Sequence, residues 1–169
     1  MKSMVKIAAA FGLALALTIG PGFAQQVQVL GDFRNWSAFT ANDGAGIICF
    51  SMSKPKDVAP TPDGYTQAYV FLTTRSAQNI RNEFNLIAGY EFDDTASAVA
   101  RVGSRTYDLY TKEDAAWLKD VAQTEAFARS LRAGATMTIE GTTKEGVKIV
   151  QTYSLSGVSA ASRAVNSAC

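Results

Sequence analysis

Histidine is absent from this 169-residue chain. That excludes every catalytic triad built on an imidazole base and every metal centre with a histidine ligand. Cysteine is nearly absent: only Cys49 and Cys169 occur, they form no Cys-x-x-Cys pair, and neither has a basic sequence neighbour to depress a thiol pKa. Basic residues never cluster; 16 Lys and Arg are scattered singly against 15 Asp and Glu. Without a basic run to follow a phosphate backbone, nucleic-acid partners are not expected. No stretch beyond Ile19 is apolar enough to span a bilayer, so no membrane span is expected after the leader.

The leader itself is readable. Lys2 and Lys6 precede an apolar run from Ile7 to Ile19, and Gly22-Phe23-Ala24 places small residues before Gln25. This is the pattern of a secretory signal peptide, 1–24, cleaved between Ala24 and Gln25. The apolar run of about 13 residues is shorter than the roughly 20 that a spanning helix needs. The expected location is the periplasm, the outer envelope or the medium, reached by Sec-type export. Intact mass of the periplasmic protein is expected to lack residues 1–24; full-length chain recovered from the inner membrane would overturn this reading.

What remains, 25–169, is long enough for one domain with its own core. Lys2 and Lys6 leave with the leader, so the remainder carries one net negative charge. Two cysteines in an exported chain point to one disulfide, Cys49–Cys169, rather than to two free thiols. It would close a loop of about 120 residues, for which chain entropy gives about 4–5 kcal/mol.

The chain is organised around Asp32–Lys56, read as two short strands, Asn35–Ala41 and Gly46–Ser53, joined at Asn42-Asp43-Gly44. A polar loop, Pro55–Gly64, follows. Gln67–Arg75 is apolar on both faces and predicts a strand buried on two sides. Asn82–Phe92 alternates most cleanly, with Phe84, Leu86, Ala88, Tyr90 and Phe92 on one face, which predicts a half-buried strand. Ala96–Val102 and Thr106–Thr111 predict a hairpin around Gly103-Ser104. The rhythm then changes. Thr111 with Asp114 resembles a capping box, Trp117 and Val121 stand four apart, and Phe127 and Leu131 repeat that spacing after Thr124. A helical insertion ending at Gly134 is expected, with Trp117 and Phe127 in the core. Met137 and Ile139, then Val147, Ile149, Tyr153 and Leu155, restore the strand period. Ser159–Cys169 reads as a short helix that delivers Cys169. The fold class expected is mainly β, an antiparallel sandwich or barrel-like domain with a helical insertion and a C-terminal helix. Trp36, in the hairpin the disulfide would hold, is expected to be core; the alternative is an exposed anchor for a partner.

Candidate chemistry is sparse. Ser51-Met52-Ser53-Lys54 matches the S-x-x-K pattern, which needs serine and lysine on one face of a helical turn. Here it ends a β-type run and meets Pro55, which disfavours helix at Lys54. No S-D-N or K-T-G accompanies it, since Lys144-Glu145-Gly146 is not the latter. Asp93-Asp94 is an adjacent carboxylate pair; glycoside hydrolysis needs such groups across a substrate, but the position reads as a solvated turn. Asn42-Asp43-Gly44 lacks the spacing and closing Glu of a calcium loop. Gly44-Ala45-Gly46 precedes a strand instead of opening a helix, so it is no phosphate loop. Asn35-Trp36-Ser37 fits the glycosylation sequon. No catalytic residue, cofactor site or metal site is assigned.

Trp36 and Cys49 ahead of Ser53-Lys54-Pro55, Arg132-Ala133-Gly134-Ala135, the strand pair Thr136–Ser154 leading to Gly157, and the terminal Ala168-Cys169 together carry a resemblance. The chain resembles the invasion-associated locus B family of bacterial envelope proteins, most specifically over Arg132–Cys169. It departs from the family pattern at Gln151, where an acidic residue is usual, and at Val158, where an aromatic is usual. The resemblance implies an exported, alphaproteobacterial-type protein, associated in some pathogens with host-cell entry, with both family cysteine positions occupied. Two readings follow: a non-enzymatic envelope protein acting through protein contacts in the host or envelope, or a periplasmic hydrolase with a Ser/Lys or carboxylate site. A cleft joining a serine to Lys54, or two carboxylates, separates them.

Overall fold

The computed structural model describes residues 27–169; the leader and the Ala24–Gln25 cleavage site lie outside them. The strands are β1 (Gln28–Phe33), β2 (Trp36–Asn42), β3 (Ile47–Ser53), β4 (Asp57–Ala59), β5 (Tyr69–Arg75), β6 (Ile80–Ile87), β7 (Ala98–Val102), β8 (Arg105–Lys112), β9 (Ala115–Leu118), β10 (Thr136–Thr142) and β11 (Lys148–Ser154). Two α-helices join them, α1 (Thr124–Ala133) and α2 (Val158–Ala168). The mainly β, antiparallel class expected from the alternation is what is found.

The architecture is one 11-stranded sheet in the order β1-β2-β3-β5-β6-β9-β8-β7-β10-β11-β4. It is neither two stacked sheets nor a closed barrel. Right-handed twist accumulated over so many strands curls a sheet, and here the curl brings the β2 end onto the β11 end. Trp36 Nε1 donates to the Ser154 carbonyl at 2.9 Å and Asn35 N to the Ser156 carbonyl at 3.2 Å. These are single contacts, not a ladder, so the roll stays open.

Alternation places the core. Phe84 and Leu86 on β6 point inward, and Ala88, Tyr90 and Phe92 continue inward after it, all five at most 8% exposed. The strand was expected to run to Phe92, but it ends at Ile87. Gly89 causes the break: its φ is +77°, and a Cβ there would overlap the Thr66 carbonyl. On β11, Ile149, Gln151 and Tyr153 point inward while Val147, expected with them, lies exposed in the turn.

The helical insertion begins later than expected. Ala115–Leu118 is β9, paired with β6 (Asn85 with Trp117) and with β8 (Tyr110 with Trp117). The Thr111–Asp114 capping box does not form; Glu113, at φ +56°, turns β8 into β9 instead. Glutamate seldom adopts that conformation, so no turn signal marks the position. Asp120 caps the helical segment by accepting from Ala122 N at 3.0 Å. In α1, Phe127 and Leu131 are fully buried. Phe127 meets Phe84 and Tyr107 edge-on, with centroids 4.9 and 4.8 Å away, a favourable aromatic geometry.

α2 packs on β1, β2 and β3 through Val158, Ala161 and Val165. Its entry needs Gly157, at φ +104°, because a side chain would overlap the Phe33 carbonyl. At its far end a disulfide joins Cys169 to Cys49, with Cα atoms 5.9 Å apart. Ser76 Oγ donates to the Cys169 carbonyl at 2.5 Å, so the chain end is held from two sides.

Candidate functional site

β3 runs through the middle of one half of the sheet, and its alternation separates the residues of the S-x-x-K pattern. Cys49, Ser51 and Ser53 face the core. Ser51 is 1% exposed and its hydroxyl has no hydrogen-bond partner among the described residues; Ser53 Oγ donates to the Asn35 carbonyl at 2.6 Å. Lys54 lies beyond the strand end, with Nζ 5.6 Å from the Tyr69 ring centroid on the outward face. An odd spacing on a strand puts two side chains on opposite faces, so Ser51 and Lys54 are not brought together.

The other sequence candidates resolve into turns. Asp93 accepts from the amide and hydroxyl of Thr95 at 2.8 and 2.7 Å, which holds its carboxyl below its ordinary pKa. Asp43 accepts from Ala45 N at 3.0 Å and pairs with Arg75 at 2.8 Å. Asn42 accepts from Gly44 N at 3.0 Å, so these side chains shape the β2–β3 connection. Among the described residues, no group of three or more acidic or cysteine side chains could hold a metal ion. None of their helices is long and apolar enough to cross a membrane.

Gln151, the departure from the family pattern, is fully buried. Its amide donates to the Ala88 carbonyl at 2.6 Å, and its oxygen accepts from Tyr153 Oη at 3.1 Å. A carboxylate could not make the first bond and would be desolvated; the amide suits this core. Burial pushes the Tyr153 phenol up, as it does that of Tyr90. Val158, the other departure, is 1% exposed at the start of α2.

The arrangement that sequence reasoning missed is on the outward side of β2, β3, β5, β6, β9 and β8. Phe39 stacks on Phe50 at 5.2 Å, Phe50 meets Phe71 at 6.2 Å, and Tyr69 lies 6.1 Å from Phe71. The row continues through Asn85 to Trp117, which meets Tyr110 at 6.2 Å. With its amide oxygen turned toward the indole, Asn85 accepts from Trp117 Nε1 at 3.2 Å. These aromatic residues are half-buried, except Tyr110, which is 54% exposed. None belongs to the core cluster. Two expectations are corrected here. β5 is buried on one side only, with Val70, Leu72 and Thr74 inward and Tyr69 and Phe71 outward. Trp117 is not a helical core residue but an outward strand residue. The Phe39, Phe50 and Phe71 spacing is present in the sequence; that these rings stay outside the core cluster of the described residues could not be read there. Trp36, by contrast, is core, at 1% exposure.

The fold defines the class: an open, curled antiparallel sheet whose C-terminal helix is tied back by one long-range disulfide. It is similar to the crystal structure of invasion associated protein b from Bartonella henselae, with a TM-score of 0.60 over 83% of this chain and 97% of that one, at 13% identity. No protein-family model and no curated protein matches the sequence. The likeness is therefore one of fold, and the family resemblance read from the sequence is matched at that level alone.

Proposed function

We propose that this chain is an exported envelope protein of the invasion-associated locus B type, which binds another protein and performs no catalysis of its own. The observation that carries the reading is the outward row Phe39, Phe50, Phe71, Trp117 and Tyr110. Aromatic side chains offer large contact area at low entropic cost and dominate protein interfaces. A contiguous patch of them outside the core is a mark of association. The similar fold of a protein whose name links it to invasion supports the same reading. The hydrolase alternative needs a serine beside Lys54 or two carboxylates across a cleft; the sheet sets Ser51 and Lys54 on opposite faces, and Asp93 is engaged by Thr95 within its own turn.

The test uses the mature protein and its Phe71→Ser/Trp117→Ser variant as baits for envelope extracts and host-cell membranes. Specific capture by the wild type, reduced at least about tenfold in the variant with its melting transition retained, is expected, because loss of interface aromatics costs on that scale. Equal capture by both, or none by either, overturns the proposal.

A further inference from the structure

On the helical side of the molecule, away from the aromatic row, α1, α2 and the start of β6 flank an open cleft of about 480 Å³, with Arg81, Glu125, Arg163 and Asn166 exposed at its rim. Every residue lining it is polar. Ser159, Ser162, Arg163 and Asn166 occupy one stripe of α2, at helical spacings of three and four. Arg132 enters from the last turn of α1, and Arg81 and Asn82 from β6. Glu125 completes the wall, accepting from Asn82 Nδ2 at 2.9 Å. Three guanidiniums against one carboxylate leave the cleft two charges positive. Among the described residues none of Arg81, Arg132 and Arg163 has an ion-pair partner, whereas Arg75 and Arg101 both do. Ser162, in the same stripe, is 6% exposed; its hydroxyl is enclosed by protein and has no hydrogen-bond partner among the described residues.

We infer that this cleft binds a phosphate ester of a polyhydroxylated group, through Arg81, Arg132 and Arg163. Guanidinium forks match phosphate oxygens in geometry, and two net positive charges match a phosphate dianion. A cleft of about 480 Å³ has the size of small-molecule sites and exceeds a bare phosphate several-fold. With no apolar side chain in its lining, the rest of the ligand is hydroxylated. Asn166 can donate to its oxygens, and Glu125 can accept from its hydroxyls, while Ser159 Oγ donates to the Arg132 carbonyl at 3.4 Å and braces α2 against α1. A soluble sugar phosphate and the headgroup of a phosphorylated lipid share this chemistry.

Titration calorimetry of the mature protein with glucose 6-phosphate, glucose and vesicles of phosphatidylcholine with and without phosphatidylinositol 4-phosphate tests the inference. A phosphorylated probe is expected to bind, more weakly as salt rises, and unphosphorylated glucose or vesicles not to bind. Arg132→Gln and Arg163→Gln, each with its melting transition retained, are expected to weaken binding about tenfold or more, since each removes a charged hydrogen-bond donor. Ser162→Ala is expected to leave binding unchanged, because that hydroxyl is enclosed by protein. Binding of glucose 6-phosphate assigns a soluble ester; binding of the phosphatidylinositol 4-phosphate vesicles alone assigns a lipid headgroup. No binding of either phosphorylated probe, or equal binding by the arginine variants, overturns the inference. The site does not rest on the proposed protein-binding function: Phe71→Ser/Trp117→Ser is expected to bind the phosphorylated probe unchanged.

Discussion

Trp36→Ala is expected to lower the free energy of unfolding by about 3–5 kcal/mol, the range for truncating a large aromatic in a packed core. The side chain is 1% exposed and begins β2, where the first hairpin meets the end of the rolled sheet. Its indole is also the donor that reaches the Ser154 carbonyl at 2.9 Å, across 118 residues of sequence. Truncation therefore leaves a cavity and, beside it, a carbonyl without its partner, and both costs fall on the seam that keeps the sheet curled. Trp36→Phe retains much of the volume and loses only the donor, so it should cost less than half as much. Urea unfolding of the two variants beside the wild type checks this. A Trp36→Ala midpoint within error of the wild type would mean that the seam is held by something else.

Removing the disulfide is the second large effect. Cys49→Ser/Cys169→Ser is expected to cost about 2–5 kcal/mol, because the bridge restrains a long loop in the unfolded chain. The loop spans 120 residues, nearly all of the described domain. The sheet should survive the change. α2 keeps Val158, Ala161 and Val165 against β1 to β3, and Cys169 is half-buried at the margin of the core. The expected result is a lower denaturation midpoint with an unchanged far-ultraviolet dichroism spectrum. Reductant should lower the wild-type midpoint to the same value and leave the double variant unaffected. An unchanged midpoint after complete reduction would show that the loop is already restrained in the unfolded chain.

Much of this molecule is legible in its sequence. The Phe84 to Phe92 alternation named five residues that are all buried, because period two on a half-covered sheet has a single inward face. Gly103-Ser104 marked the β7–β8 turn, and Gly157 breaks the chain after β11, since glycine reports backbone conformations that other residues avoid. The β8–β9 turn was illegible for the converse reason. Its left-handed residue is Glu113, which carries no such signal, and so Trp117 and Val121 were read at helical spacing across what is a strand and a following turn. β1 and β4 were missed because they are short edge strands whose existence depends on partners: β4 pairs only with β11, far along the chain. Likewise, nothing in Tyr69–Arg75 says that one of its two apolar faces is left uncovered.

By itself the sequence determined the β class, the inward set of residues, the two-cysteine tether and the absence of histidine chemistry. Each of these is carried by residue type or by spacing along a single element. Tertiary structure alone decided that the sheet is one open roll, that Ser51 and Lys54 part to opposite faces, and that an aromatic row remains on the outside. It also decided that Arg81, Arg132 and Arg163 line one cleft. The physical reason is common to all of these. Periodicity tells which side chains share a face, but what covers that face, or converges on it, is set by pairings between elements distant in sequence, through the free energy of burying one against another.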